Sequence, residues 1–283
     1  MTDWAAFTGF TGLVLVVLLS FAYVSRGVPH GDGASVSFDD NPDRETSLDG
    51  SRNDVELDGD ELVSAATTEN VVDGVSSTPI VPTPDSAAVS SDLPTHLLIA
   101  NVAVSQALLG AFLALGAWYA EIPSAALGIS AGDVPTKLGV GLALGLGLYA
   151  ANRVGSSLSR QFGFTPDEAL RESLTPESRA GWVLLLFVAL PLIAGFEELL
   201  FRGALVGAVA VGFDVSPWLM AAVSSAAFGA GHSAQGRLGI VVTGLLGFVL
   251  AAAFVLTQSL LVVVVAHYLV NALEFVGNEL FGW

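Results

Sequence analysis

Seven apolar runs decide what this chain can fold into: residues 4–24, 96–120, 138–154, 181–212, 218–231, 238–256 and 260–280. Backbone in hydrocarbon must satisfy its own N–H and C=O groups. A helix of about twenty residues does so while crossing ~30 Å of lipid. The expectation is an all-α, polytopic transmembrane bundle of about seven spans, multi-pass in the cell membrane. With 53% of its residues hydrophobic, the chain is too apolar for a water-soluble globule.

The first run opens Met1-Thr2-Asp3, without a positively charged start, and its apolar core exceeds the ~7–15 residues of a secretory signal. It reads as an uncleaved anchor, residues 1–30, with Arg26 marking its end as cytoplasmic. Residues 31–95 then carry 15 acids against Arg44 and Arg52, and so hold −13 of the net charge of −17. That stretch, rich in Asp, Ser, Gly and Thr, cannot bury enough apolar surface to offset its ordering entropy. It is expected to be a disordered acidic linker, stiffened at its end by Pro79, Pro82, Pro84 and Pro94, and a solvated tether rather than a specific binding segment.

Residues 96–283 form the polytopic domain. Arg153, Arg160, Arg171 and Arg179 bracket a polar stretch containing Pro166 and Pro176, and the arginine bias places it on the cytoplasmic side. Gly139, Gly141, Gly145 and Gly147 suit close helix approach in lipid. The absence of cysteine excludes disulfides, thiolate metal sites and a cysteine nucleophile. The acid excess argues against nucleic acid as a partner, since a phosphate backbone needs a basic surface. One lysine, Lys137, beside nine arginines in an acid-rich chain suggests a halophilic source.

The chemistry lies in three motifs inside apolar runs: Glu197-Glu198-Leu-Leu-Phe-Arg202, Phe228-Gly-Ala-Gly-His232 and His267-Tyr-Leu-Val-Asn271. An ionisable group at membrane depth costs several kcal/mol unless it is paired or faces a cavity. On a helix Glu198 and Arg202 stand four apart and pair, a structural role at its simplest. Glu197 points elsewhere and has Leu200 and Phe201, not a cation, at the neighbouring positions. A carboxyl held in apolar surroundings exchanges protons as a general acid or base must. Phe228 and His232 share a helical face, and a lone histidine there can equally be a satisfied polar residue. His267 and Asn271 share another face, continued by Glu274 and Asn278. Such a stripe is either a hydrogen-bonded helix seam or a set of donors.

Together the motifs supply what peptide hydrolysis needs: an activated water, a group that takes its proton, and donors to the oxyanion. Neither His-Glu-x-x-His nor Gly-x-Ser-x-Gly occurs. Glu197, His232 and His267 could together hold zinc with one position open, and spacing alone leaves metal-bound and metal-free water undecided.

In this order on successive membrane helices, Glu-Glu-x-x-x-Arg, Phe-x-x-x-His and His-x-x-x-Asn resemble the CPBP family. These are the CAAX prenyl protease type II and bacteriocin-processing (Abi) intramembrane proteases. The run 196–203 is typical of them, and the resemblance covers a protease-like core at about 180–280. It implies that Glu197 and His232 activate the water while His267 and Asn271 stabilise the oxyanion. Glu198, Arg202 and Phe228 support them. The implied partner is a hydrophobic or membrane-associated peptide or protein in the lipid bilayer. The competing readings are a non-catalytic scaffold or peptide-immunity protein of the same fold, and a proton-coupled transporter using the two glutamates. Against the transporter, no second half repeats the first. One conflict stands: Glu197 lies 18 residues past Arg179, ~27 Å along a straight helix and so near the far side of the bilayer, unless Pro191 kinks the segment or its start lies in the interface.

Overall fold

The computed structural model describes residues 1–25, 94–161 and 169–281. Arg26 and, apart from its last two residues, the stretch 31–95 lie outside the described residues. The described part is helical, with no strand among the described residues. Its main helices are α1 (Trp4–Ser25), α2 (Thr95–Tyr119) and α3 (Val134–Gln161). A short α4 (Ala169–Leu174) leads into the stretch Arg179–Phe213, after which come α8 (Pro217–Gly231), α9 (Gly236–Thr257) and α10 (Leu260–Phe281).

Among the described residues, six helices are long and apolar enough to cross a membrane. The seventh expected span, 218–231, is the fifteen-residue α8, which at 1.5 Å per residue reaches only about 22 Å. It is shorter than a full span and packs against α9 and the stretch Arg179–Phe213.

Arg179–Phe213 is 35 residues long and holds 44% of its most apolar window buried, the largest share of any span. It is composite: α5 (Arg179–Leu184), a π-helical turn Leu185–Ala189, α6 (Leu190–Glu198), a π-helical stretch Leu199–Ala208 and α7 (Val209–Phe213). Pro191 falls in the first turn of α6, directly after the π-helical turn. Proline has no N–H and crowds the carbonyl four residues back, and the π-turn just before it spreads those carbonyls. Glu197 is the nineteenth of the 35 residues and so lies at the middle of the stretch.

The glycines of α3 divide by face. A Cβ at Gly141 or Gly145 would strike the backbone of α10 at the Val262 and Ala266 carbonyls, whereas Gly139 and Gly147 face open space. Only the first pair serves close approach, and it does so along the α3–α10 seam. Glu274 strengthens that seam by accepting a 2.8 Å hydrogen bond from Asn152 of α3. The lower part of the polar stripe on α10 is thus interhelical glue.

Helix α1 is built into the domain. Phe7, Thr11 and Val14, at helical spacing, are each about 1% exposed. Phe7 and Val14 share a core with Phe196, Phe201 and Phe228. At its start the Met1 amine pairs with Glu121 Oε2 at 2.9 Å, and Asp3 N–H donates to the Ala120 carbonyl. Their mutual hydrogen bond raises the amine above its usual 8.0 and lowers Glu121 below its usual 4.5. The amine's contribution is complete below 8.0 and is lost as pH rises through its raised value. Glu121's is complete above 4.5 and is lost as pH falls through its lowered value. Both groups are fully exposed, so the effect is local. The Asp3 amide should show its highest exchange protection factor between these limits and lower values at about pH 3 and pH 10. A flat profile would contradict this docking.

Candidate active site

Glu197 and Glu198 close α6 just where the helix widens into its π-helical stretch, a distortion common at functional sites. Both are buried, at 8% and 0% exposed, and Arg202 is 0% exposed. The expected pair forms: Arg202 Nη1 donates to Glu198 Oε1 at 2.7 Å. Two further bonds were invisible in the motif. Arg202 Nη2 donates to the Gly247 carbonyl of α9 at 2.9 Å. His267 Nδ1, on α10, lies 2.7 Å from the same Glu198 Oε1. A carboxylate oxygen only accepts, so Nδ1 carries the proton of this bond and the Nε2 side of the ring turns away from Glu198. Glu198 therefore does more than match Arg202; it also orients His267.

Glu197 is not left without a basic neighbour. His267 Nε2 lies 3.7 Å from Glu197 Oε2, beyond hydrogen-bond length. That oxygen is buried and has no hydrogen-bond partner among the described residues. A buried carboxylate oxygen ordinarily has a donor, and here the imidazole stands just out of reach. Asn271 is half-buried one turn beyond His267 on the same helix.

Phe228 of α8 is the hub. Its ring lies 5.0 Å from that of Phe201, 5.9 Å from that of His267 and 4.6 Å from that of His232, and Arg202 Cζ stands 4.6 Å over it. The guanidinium face thus rests on a π surface. Ser224, one turn back, donates to the Phe201 carbonyl at 2.6 Å and ties α8 to the π-helical stretch, where the backbone ladder is irregular. His232 caps α8 at φ −98°, ψ 24°, with Nδ1 2.8 Å from the Phe228 carbonyl. Nδ1 is the donor there, which leaves Nε2 as its acceptor. The structure thus brings Glu197, Glu198, Arg202 and His267 into one cluster and sets His232 across the Phe228 ring. Among the described residues His232 forms no ion pair with Glu197.

The zinc set does not assemble. Among the described residues no group of three or more His, Asp or Glu side chains is placed to hold a metal ion. The two imidazoles both neighbour the Phe228 ring, at 4.6 Å for His232 and 5.9 Å for His267.

Gly247 has no signal in the motifs, yet the site depends on it. A Cβ there would lie 2.9 Å from Phe228 Cδ1 and 3.4 Å from Arg202 Nη2. Gly247→Val should destabilise the folded chain by about 1–3 kcal/mol through overpacking. Gly147→Val, which enters open space, is the control. Thermal unfolding in detergent compares them, and equal midpoints would show that the Gly247 contact carries no weight.

Residues 179–273 match the family model of type II CAAX prenyl endopeptidases, Rce1-like. The matched stretch is about a third of the 283 residues, and over it the chain is similar to that family. All three motifs fall inside the Rce1-like segment, while α1, α2 and α3 lie outside it. No curated protein and no solved structure matches the chain. At the level of the family, the Rce1-like segment is that of an intramembrane endopeptidase, here within a multi-pass membrane protein.

Proposed function

We propose that this chain hydrolyses peptide bonds of hydrophobic or membrane-associated peptides at the cluster around Glu197. The observation that carries this reading is the Glu197 Oε2 atom: buried, without a hydrogen bond among the described residues, and facing His267 Nε2 across 3.7 Å. A substrate carbonyl and an attacking water need such a place, where one group takes a proton and another donates.

In this mechanism Glu197 takes a proton from the attacking water. His267, oriented through Nδ1 by Glu198, donates from Nε2 to the oxyanion with Asn271. The proton taken from water then passes from Glu197 to the amide nitrogen as the C–N bond breaks. This releases the two peptide products and restores the Glu197 carboxylate, with the His232 Nε2 acceptor assisting the transfer. Each step uses only this chain's side chains and a water.

The test is a purified, bilayer-reconstituted chain given a mixture of hydrophobic peptides and read by mass spectrometry. Cleaved products from the wild type and none from Glu197→Gln support the reading. Intact peptides with both proteins, each well folded, refute it.

A further inference from the structure

The turn that carries His232 is held from outside the Rce1-like segment. His232 follows the last residue of α8, Gly231, and a single 3-10 turn, Ser233–Gln235, follows it. Both flanking residues meet α1. A Cβ on Gly231 would lie 2.9 Å from Leu18 Cδ2 and 4.0 Å from Leu19 Cδ2, so α1 comes as close here as a glycine permits. On the other side Ser233, 6% exposed, donates through Oγ to the Ala22 carbonyl at 3.2 Å. Leu18 and Ala22 stand four apart on α1, one turn along the line that continues the buried Phe7, Thr11 and Val14. The same face thus packs into the Phe196, Phe201 and Phe228 core and ends on the His232 turn.

We infer that α1 is a positioning element of the active site, whose Leu18 and Ala22 hold the Gly231–Ser233 turn and so set where the His232 ring stands beside Phe228. His232 has few other restraints. It is half-buried at a helix end, its ring faces that of Phe228 at 4.6 Å, and its Nδ1 bonds to a carbonyl of its own helix. A turn of this kind shifts easily, and an ångström of displacement in a catalytic group lowers rate by up to about 100-fold. The effect on catalysis rests on the role proposed for His232. The placement of the ring does not.

The test combines substitutions on both sides of the contact in the full chain, in lipid nanodiscs with 13C-labelled histidine. Gly231→Val is expected to move the His232 ring resonance and to lower turnover of the peptide mixture about tenfold, with KM unchanged. Adding Leu18→Ala makes room and is expected to restore both. Ser233→Ala should move the same resonance, and Ser233→Thr, which keeps the hydroxyl, should restore it. Gly116→Ala crowds Phe10 elsewhere on α1. It should lower the unfolding temperature without moving the ring, which separates positioning from stability. Should Gly231→Val fail to fold, Gly231→Ala takes its place, because its methyl meets only the mobile end of Leu18.

The inference is overturned if the His232 resonance is unmoved in a folded Gly231 variant, or is moved and not restored by Leu18→Ala. A wild type that cleaves no peptide would refute the proposed function instead, while the resonance would still decide whether α1 positions the ring.

Discussion

Arg202→Ala should unfold or deplete this protein more than any other single substitution at the site, by about 3–5 kcal/mol. Glu198 and Arg202 are both 0% exposed and joined at 2.7 Å. Removing the guanidinium leaves a buried carboxylate with only the shared His267 bond. The loss is wider than the ion pair. The Gly247 carbonyl loses its donor, and the Phe228 face loses the cation above it. Arg202→Lys should recover only part of the stability. An ammonium can reach Glu198 but cannot also span to Gly247 while stacking flat on a ring. Thermal unfolding of the purified variants in detergent orders them as wild type, lysine, alanine. Equal midpoints for alanine and wild type would mean that the buried pair is not what holds α6 to α9.

Glu197→Gln is expected to have the opposite profile: full folded yield and loss of peptide cleavage by at least about 100-fold, the lower range for removing a general base. Glutamine keeps the size of the side chain and so preserves packing at an 8% exposed position. It also relieves the desolvation of a carboxylate that has no hydrogen bond at Oε2 among the described residues. The pair of substitutions therefore separates the adjacent glutamates by function, with stability carried by the position bonded to Arg202 and chemistry by its neighbour. A stable Arg202→Ala chain together with an unfolded Glu197→Gln chain would reverse that assignment.

Much of this arrangement was legible before any coordinates. Long apolar runs favour helices in lipid, so most helices fall within two residues of the expected bounds, whereas α3 (Val134–Gln161) extends past both ends of the expected 138–154. The Glu198–Arg202 and Phe228–His232 pairs follow from helical spacing alone, because residues four apart share a face. The contacts that were missed depend on which helices are neighbours. His267 and Glu198 are 69 residues apart in sequence, and Arg202 and Gly247 are 45 apart. A glycine such as Gly247 carries no mark that distinguishes it from the many others in these helices. The π-helical stretches were illegible for a related reason. They arise from the packing of a long inner helix against several partners, and no single residue encodes them. α1 read as a separate anchor because an apolar run shows neither which face is buried nor what it touches.

The most direct measurement compares wild type with Glu197→Gln in the source organism, by mass spectrometry of the termini of membrane peptides and proteins. Termini that appear only with the wild-type chain, at equal abundance of the two proteins, are the expected result and would identify the substrate. Identical terminus profiles, with both proteins present and folded, would contradict peptide hydrolysis at Glu197.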